Sequence, residues 1–509
     1  MNLHEGLLIH TKNKPDQPAF IYNDRMLTYK QFYERVCRLA NALSDYGIKK
    51  GDHIALYMKN RLEMTEILYA ISMVGAIAVP INYMVEGTAL KQLIDFSDST
   101  HLFVEKEQWN QLEKIINELH MIKQEHVIFI GDGNEQPPSH TIDYEQFLSN
   151  GFPDHPNVHV TLEDVAAILY SSGTTSLPKG IVLTHGQIME RIVRTAIEWG
   201  VNYRDTILVS VPIYHSVGHL YVFYVSALGC KLVITRDFDP EKTLTVIQNQ
   251  KITHAFFVPT QYTMMLQEPA ITQADFSSLR LLVSAAAPLA EVTKKEIIKT
   301  FNCDLTEFLG TTETALLTSL RPADVLRKTA SVGQQVDFAE IRLVDDQGNE
   351  VNPGEDGEFV FRGKALFREY YKMSKETDES FFPGGWHRTG DMGRKDEEGF
   401  YYILDRKKDM IISGGVNIYS KDIEEVIYTH PSVLEAAVIG IPDEKWGEVP
   451  KAFVVLKKNQ FMSKEVLMKY CNDKLSKFQR LKHLEFVESL PRNPSGKILK
   501  RELRNQHHK

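Results

Sequence analysis

The stretch "VAAILYSSGTTSLPKGIVLTH", Val165 to His185, sets two apolar runs on either side of a loop that has almost nothing to bury. "VAAILY" and "IVLTH" read as strands, and Thr184 with Gln187 three places on reads as a capping box opening a helix. Between the strands, Ser171, Ser172, Gly173, Thr174 and Thr175 are small and rich in hydroxyls, and Lys179 stands between Pro178 and Gly180. A loop of this kind turns several backbone N–H groups inward and adds hydroxyl donors, which makes a concavity for phosphate oxygens. Lys179 adds a point charge that reaches terminal phosphates. The Walker pattern is not met, because it needs glycine directly before the lysine and Ser or Thr directly after it. By composition alone the same residues also describe an ordinary turn.

Outward from this loop, the first two-thirds of the chain alternates helical patterns with short β-branched runs. "TYKQFYERVCRLANALSDYGIKKGD" predicts an amphipathic helix ending at Gly47, followed by "HIALYM" as a buried strand. "HVIFI", "TILVSVPI", "KLVIT", "HAFFVP" and "LRLLVSAAA" repeat the theme. Near-continuous apolar strands between helices imply parallel sheets covered on both faces. From about residue 325 to 404 the texture changes. "EIRLVDDQGNEVNPGEDGEFVFRG" reads as strands joined by Asp-Gly and Pro-Gly turns, hence antiparallel β. The cluster Asp345, Asp346, Asn349 and Glu350 lacks the alternating spacing and closing glutamate of a calcium loop, and reads as a hairpin turn. "DRKKDMIISGGVNIYSKDIEE" then starts a new pattern, with strands at "EAAVIGIP" and "KAFVVLK" and a helix around Lys464–Ser476. The expected fold class is α/β: a large N-terminal domain of parallel α/β sheets with a small antiparallel β subdomain, then a smaller α+β domain. The boundary is placed at Lys408, giving domains 1–407 and 408–509.

At 509 residues the chain is too long for one core. Its net charge of −9 argues against general nucleic-acid binding. From Asp409 onward, 17 Lys and Arg stand against 13 Asp and Glu, so a mildly basic tail follows an acidic body. Cys37, Cys230, Cys303 and Cys471 lie far apart without a CxxC pair, which fits a reducing compartment. The first residues carry no secretory pattern. Ile67–Val85 and Val217–Ile234 are apolar but interrupted, the first by Ser72, Gly75, Pro80 and Asn82 and the second by His219, Ser226, Gly229 and Lys231. Each predicts a buried helix running into a buried strand rather than a membrane span. A cytoplasmic protein is expected.

Five segments taken in order resemble the adenylate-forming superfamily of acyl-CoA synthetases, firefly-type luciferases and peptide-synthetase adenylation domains. "YSSGTTSLPKG" is similar to its phosphate loop, "LGTTET" at Leu309–Thr314 to its Gly-x-Thr-Glu motif, and "WHRTGDMG" at Trp386–Gly393 to its Thr-Gly-Asp motif. "DRKKDMIISGGVNIY" is similar to its hinge segment and "PRNPSGKILKREL" at Pro491–Leu503 to its C-terminal lysine motif. The resemblance runs from about Tyr29 to Leu503.

The resemblance implies ATP-dependent attack of a carboxylate on the α-phosphate, giving acyl-AMP and pyrophosphate, and then transfer to a thiol. It implies that Ser171–Thr175 and Lys179 hold the ATP phosphates, that Glu313 binds Mg2+, and that Thr312 bonds the α-phosphate. Asp391 takes the ribose hydroxyls with Arg406 nearby. Adenine lies between Ala286–Ala287 and the Leu309, Gly310, Thr311 backbone. Lys497 bridges the carboxylate and the α-phosphate. Lys408 is the hinge about which the C-terminal domain swivels, and Gly414 and Gly415 line the CoA passage. His215 sits near the reacting carboxylate, with Val217, Gly218 and His219 on the acyl wall. Two positions depart from the pattern: Leu309 stands where tyrosine stacks on adenine, and Ala285 where glycine is common. Amino-acid-activating relatives place an aspartate in the acyl-wall segment, and none occurs between Val211 and Leu228. The expected substrate is therefore a carboxylic acid with an uncharged tail, fatty, branched or aryl, with CoA as acceptor. An acyl carrier protein's phosphopantetheine thiol is the alternative acceptor, and a homo-oligomer is compatible with the sequence.

Overall fold

A computed structural model describes residues 1–133, 136–170, 178–287, 289–492 and 498–507. The chain forms two compact units. The first comprises Met1–Thr329, Val336–Ala339 and Gly363–Glu379, and the second Ala330–Gln335, Glu340–Arg362 and Ser380–Lys509.

The first unit carries two sheets whose central strands are parallel. In one, the strands follow in the order Glu369–Tyr370, Gly180–Thr184, Val165–Tyr170, Ile77–Ile81, His53–Tyr57, Ser99–Glu105, Val127–Ile130 and Ile142–Asp143. From Val165–Tyr170 onward every pairing is parallel, while Gly180–Thr184 and Glu369–Tyr370 add antiparallel strands at one edge. In the other, Ala315–Leu320, Asp304–Thr311, Leu281–Ser284, His254–Phe257, Thr206–Val209, Lys231–Ile234, Pro18–Tyr22 and Arg25–Thr28 lie in that order, parallel except at the two ends. The apolar runs of the sequence are these strands, and both Ile77–Ile81 and Gly180–Thr184 are buried at every position.

The two long apolar stretches resolve as expected. Leu62–Val74 is a helix buried on all sides; it ends at Gly75 in the left-handed region and runs into Ile77–Ile81. Ser216–Val222 and Tyr224–Leu228 are helices leading into Lys231–Ile234. Among the described residues no helix is long and apolar enough to cross a membrane. The amphipathic pattern after Thr28 is a helix over Tyr29–Asp45, opened by a Thr28–Gln31 capping box.

The second unit is built on sheets that are antiparallel except where His483–Phe486 pairs parallel to Gly447–Leu456. Glu340–Val344 pairs with Asp356–Arg362, which pairs with Trp386–Lys395, and Tyr401–Arg406 pairs with the last of these. The Asp345 carboxylate accepts from the N–H groups of Gln347 and Asn349, so this acidic cluster is a turn that caps its own backbone. Farther on, Val433–Asp443 and Gly447–Leu456 form a long hairpin under the Ser420–Tyr428 and Lys464–Asn472 helices. The second helix is shorter than expected, because the Asn472 side chain turns to pair with both backbone groups of Leu481.

Candidate active site

The phosphate-loop stretch joins two antiparallel strands, with Tyr170 opposite Gly180. Ser171, Ser172, Gly173, Thr174 and Thr175 lie outside the described residues. Lys179 stands at the foot of the second strand, and its ammonium is 4.1 Å from the centre of the Tyr370 ring. Tyr370 reaches this place because Glu369–Tyr370 pairs with the same strand, Tyr370 opposite Ile181. Thr184 then caps the His185–Trp199 helix through the expected box with Gln187.

The "LGTTET" motif turns between Asp304–Thr311 and Ala315–Leu320. Gly310 is required here, since a Cβ would lie 2.2 Å from the Ala315 carbonyl oxygen. The Thr311 and Thr314 hydroxyls are 3.1 Å apart and brace the turn. Glu313 at its tip accepts a 3.0 Å hydrogen bond from the Tyr370 hydroxyl to Oε1, and its carbonyl accepts from the N–H of Phe367 at 2.9 Å. From the other side comes Arg191, on the helix that Thr184 caps. Its Nη1 donates to the Thr312 carbonyl at 2.9 Å, its Nη2 to the Glu313 carbonyl at 2.8 Å, and its Nε to the Ala365 carbonyl at 2.9 Å. Arg191 is 3% exposed. Burial pushes its guanidinium down to about 9, with the Glu313 charge opposing the shift.

Strand direction gathers the remaining expected residues of this unit. Ser284 is opposite Glu307 in a parallel pair, so Ala285–Ala287 and Leu309–Thr311 leave the same carboxyl-terminal edge of the sheet. Ligands of open α/β sheets bind at such edges. Ala285 and Leu309 are buried, and Ala286 is held at φ +75°, a left-handed conformation that glycine adopts more readily. The Thr206–Val209 strand leads over the same edge into Val211–Tyr221. The buried Asn60 side chain fixes that exit by donating to the Val211 carbonyl and accepting from the Ile213 N–H.

His215 precedes the short Ser216–Val222 helix and is half-buried; burial lowers its pKa, so it is neutral near pH 7. His219, one turn later, is pushed down to about 4 by burial first and by the Arg191 charge second. Its Nδ1 has no hydrogen-bond partner among the described residues. Gly218 is packed against the chain, and a Cβ there would sit 2.4 Å from the Pro212 carbonyl oxygen. Val217 is half-buried.

In the second unit, Asp391 and Arg406 lie opposite each other on adjacent strands and form an ion pair, Nε to Oδ1, at 2.6 Å. Lys407 pairs with Asp346 and Glu358, and the neighbouring Lys408 has its ammonium pKa lowered by burial, with the Asp409 charge opposing. The Gly414–Gly415 turn joins Ile411–Ser413 to Val416–Ile418, both glycines at positive φ. Gly414 faces the Trp446 ring, whereas a Cβ on Gly415 would meet nothing within 4 Å. Past the turn, Asp405 accepts from the N–H and hydroxyl of Ser420 at 2.7 and 2.6 Å, and the Tyr419 hydroxyl donates to Asp356 at 2.7 Å. Lys500 donates to the Ser420 hydroxyl at 2.5 Å and pairs with Glu424 at 2.8 Å. Lys497 lies outside the described residues.

Residues 9–371 match the profile of the AMP-binding enzyme family, and residues 422–497 that of the AMP-binding enzyme C-terminal domain. The chain belongs to the AMP-binding enzyme family. It is an AMP-forming acid–thiol ligase of the acyl-CoA synthetase type. Within the family it is similar to the long-chain-fatty-acid–CoA ligase FadD13 of Mycobacterium tuberculosis, 34% identical over 491 residues, covering 95% of this chain and 94% of that one. It is also similar to the fatty acid–[acyl-carrier-protein] ligase ScoC of Streptomyces coeruleorubidus, 32% identical over 507 residues, covering 98% and 95%. Among solved structures, the anthranilate CoA ligase AuaEII in complex with anthranoyl-AMP superposes with a TM-score of 0.91 at 27% identity, covering 100% of this chain and 97% of that one.

Two residues at the site of this AMP-binding enzyme went unmarked in the sequence reading, Arg191 and Tyr370. Arg191 had a signal: with Ile188, Ile192 and Thr195 it falls on the buried face of its helix, where an arginine needs a partner. Tyr370 had none, because a two-residue edge strand leaves no periodicity to read.

Proposed function

We propose that this enzyme activates a carboxylic acid with an uncharged tail as its acyl-adenylate and passes the acyl group to the thiol of CoA. In the first step a carboxylate oxygen attacks the α-phosphorus of ATP, and the bond to the β,γ-pyrophosphate breaks. In the second, the thiol sulfur attacks the acyl carbonyl, loses its proton, and AMP leaves. Both steps bring anions together, so fixed donors and positive charge are what the protein must supply. The observation that carries the reading is the grouping of Lys179, Thr312 and Glu313 at one place, with Arg191 gripping the backbone beneath.

In this reading Lys179 meets the terminal phosphates and Thr312 the α-phosphate. Asp391, held by Arg406, takes the ribose hydroxyls. Ala286–Ala287 and Leu309–Thr311 flank adenine, with Leu309 giving apolar contact in place of a stacked ring. Neutral His215 stands beside the carboxylate, and Val217 and His219 lie along the acyl tail. Glu313 fits Mg2+: Tyr370 engages one of its oxygens and no cation pairs with it among the described residues, and magnesium takes one or two carboxylates plus phosphate oxygens. When bound, the ion would neutralise charge on the phosphates. Lys497 bridges the carboxylate and the α-phosphate. Between the steps, 408–509 swivels about Lys408 against 1–407, and Gly414 and Gly415 then line the pantetheine passage. That swivel has to release Ser420 from Asp405 and Tyr419 from Asp356.

CoA as acceptor and a fatty or related acid as donor follow the likeness to FadD13, while the likeness to ScoC supports transfer to a carrier protein as the second reading. The purified enzyme is expected to exchange labelled pyrophosphate into ATP only when an acid is present, with Lys497→Ala lowering exchange at least 100-fold. Exchange without acid dependence, or unchanged in that variant, refutes the assignment. AMP release measured with free CoA and with a carrier protein bearing an unacylated phosphopantetheine thiol separates the two acceptors.

A further inference from the structure

Lys179 and Glu313 carry opposite charges, and one tyrosine touches both. Among the described residues neither side chain forms an ion pair, although an ammonium and a carboxylate this closely bracketed would be expected to find each other. The Tyr370 ring face lies 4.1 Å from the Lys179 ammonium, and its hydroxyl donates to Glu313 Oε1 at 3.0 Å. The cation–π contact holds the ammonium while leaving its N–H donors unspent on a carboxylate. The hydroxyl bond fixes one carboxylate oxygen and leaves the other to face elsewhere. Arg191 cannot substitute for Lys179 as the partner of Glu313, because its hydrogen bonds go to three carbonyls.

Tyr370 is well placed to do this independently of either charged group. Its strand pairs with Ile181, its N–H donates to the Thr377 hydroxyl at 3.0 Å, and its ring packs on Phe367 with centroids 4.6 Å apart. Its residue is 4% exposed, so the ring is a wall rather than a mobile side chain.

We propose that Tyr370 is a positioning residue that keeps Lys179 and Glu313 from neutralising each other, its ring holding the ammonium and its hydroxyl the carboxylate, so that both meet ATP unpaired. The inference rests on the ATP-dependent reading above. Removing the hydroxyl alone frees the carboxylate and weakens the magnesium-dependent part of ATP binding. Removing the ring as well lets lysine and glutamate collapse together, so ATP binding suffers even without magnesium.

The test is calorimetric titration of full-length wild type, Tyr370→Phe, Tyr370→Leu and Tyr370→Leu/Glu313→Gln with ATP, in EDTA and across a MgCl2 series, beside acid-dependent pyrophosphate exchange. Tyr370→Phe is expected to bind ATP in EDTA within twofold of wild type, and to need about 3- to 10-fold more Mg2+ for half-maximal gain in affinity. Tyr370→Leu is expected to lose fivefold or more in EDTA, and adding Glu313→Gln is expected to restore that loss. Unchanged magnesium dependence in Tyr370→Phe overturns the proposal, as does an EDTA loss in Tyr370→Leu that persists with Glu313→Gln. Tyr370→Phe keeps the ring and its packing, and decides the matter alone if the leucine variant does not fold. A wild type that exchanges pyrophosphate while its variants match it sinks this inference only; a wild type that neither binds ATP nor exchanges sinks the underlying reading with it.

Discussion

The Glu313 turn of the first unit and the Ser420 junction of the second are held by different kinds of contact. At Glu313 a buried arginine grips backbone carbonyls, a hairpin sets the register, and Gly310 allows the two strands to close. At Ser420 the ties are side-chain bonds to Asp405 and Asp356, made to residues on the near side of Lys408. Backbone acceptors on a buried donor leave no alternative arrangement of similar energy. The Ser420 ties to Asp405 are buried as well, but both depend on one side-chain carboxylate, which can rotate away and exchange them for water at a net cost of about 1.5–3 kcal/mol for a bond to a charged group. A turn gripped through its backbone and a junction tied through side chains differ in how readily each can open.

The comparison breaks most readily in acid. Burial pushes His4 and His254 down to about 3, and His185 and His219 down to about 4. All four belong to the first unit. Their folded-state values lie below the ordinary value of 6.5, so the unfolded chain binds more protons between about pH 4 and 6.5. Their contribution is complete above pH 6.5 and is lost as pH falls, at roughly 1.4 kcal/mol per pH unit for each imidazole that must take a proton. Urea midpoints are expected to drop steeply from pH 6.5 to 4.5, with amide exchange rising first in the first unit. A flat midpoint over that range contradicts the assignment of these histidines as buried and neutral.

Arg191→Met probes the turn itself. It leaves the Ala365 and Thr312 carbonyls without their donor, while the Glu313 carbonyl keeps the Phe367 N–H, so at about 1–3 kcal/mol for each that stays buried a loss of at least about 2 kcal/mol is expected. Denaturant unfolding followed by tryptophan fluorescence measures it, and a loss under 1 kcal/mol means the grip is not what holds Glu313. The smallest effect is expected at the junction. Asp405→Asn weakens the bonds to Ser420 by about 1 kcal/mol, roughly fivefold in local opening. Hydrogen exchange over 409–430 reads that opening, and no acceleration there removes Asp405 as a tie.

Much of the fold was legible because parallel strands buried on both faces write themselves as continuous apolar runs, as at Ile77–Ile81 and Leu281–Ser284. The Thr184 capping box and the "LGTTET" and "WHRTGDMG" motifs were legible because each is local. What local spacing does not carry is pairing across distance. Asp391 and Arg406 were each named, yet their ion pair depends on a strand register 15 residues apart in sequence. Arg191 is more than 120 positions from the turn it grips, and Tyr370 is 57 from Glu313. The packing of Glu340–Arg362 with Ser380–Lys509 in one unit was equally out of reach of a linear reading.

Under the proposed acyl-wall role of Val217, Gly218 and His219, Gly218 sets a practical limit on redesigning this enzyme for other acids. With the Pro212 oxygen 2.4 Å from where a Cβ would stand, any side chain at 218 displaces main chain before it meets a substrate. A library varied along Ser216–Val222 will therefore lose its members at 218 to misfolding, and changes recovered by selection will concentrate at the neighbouring Val217.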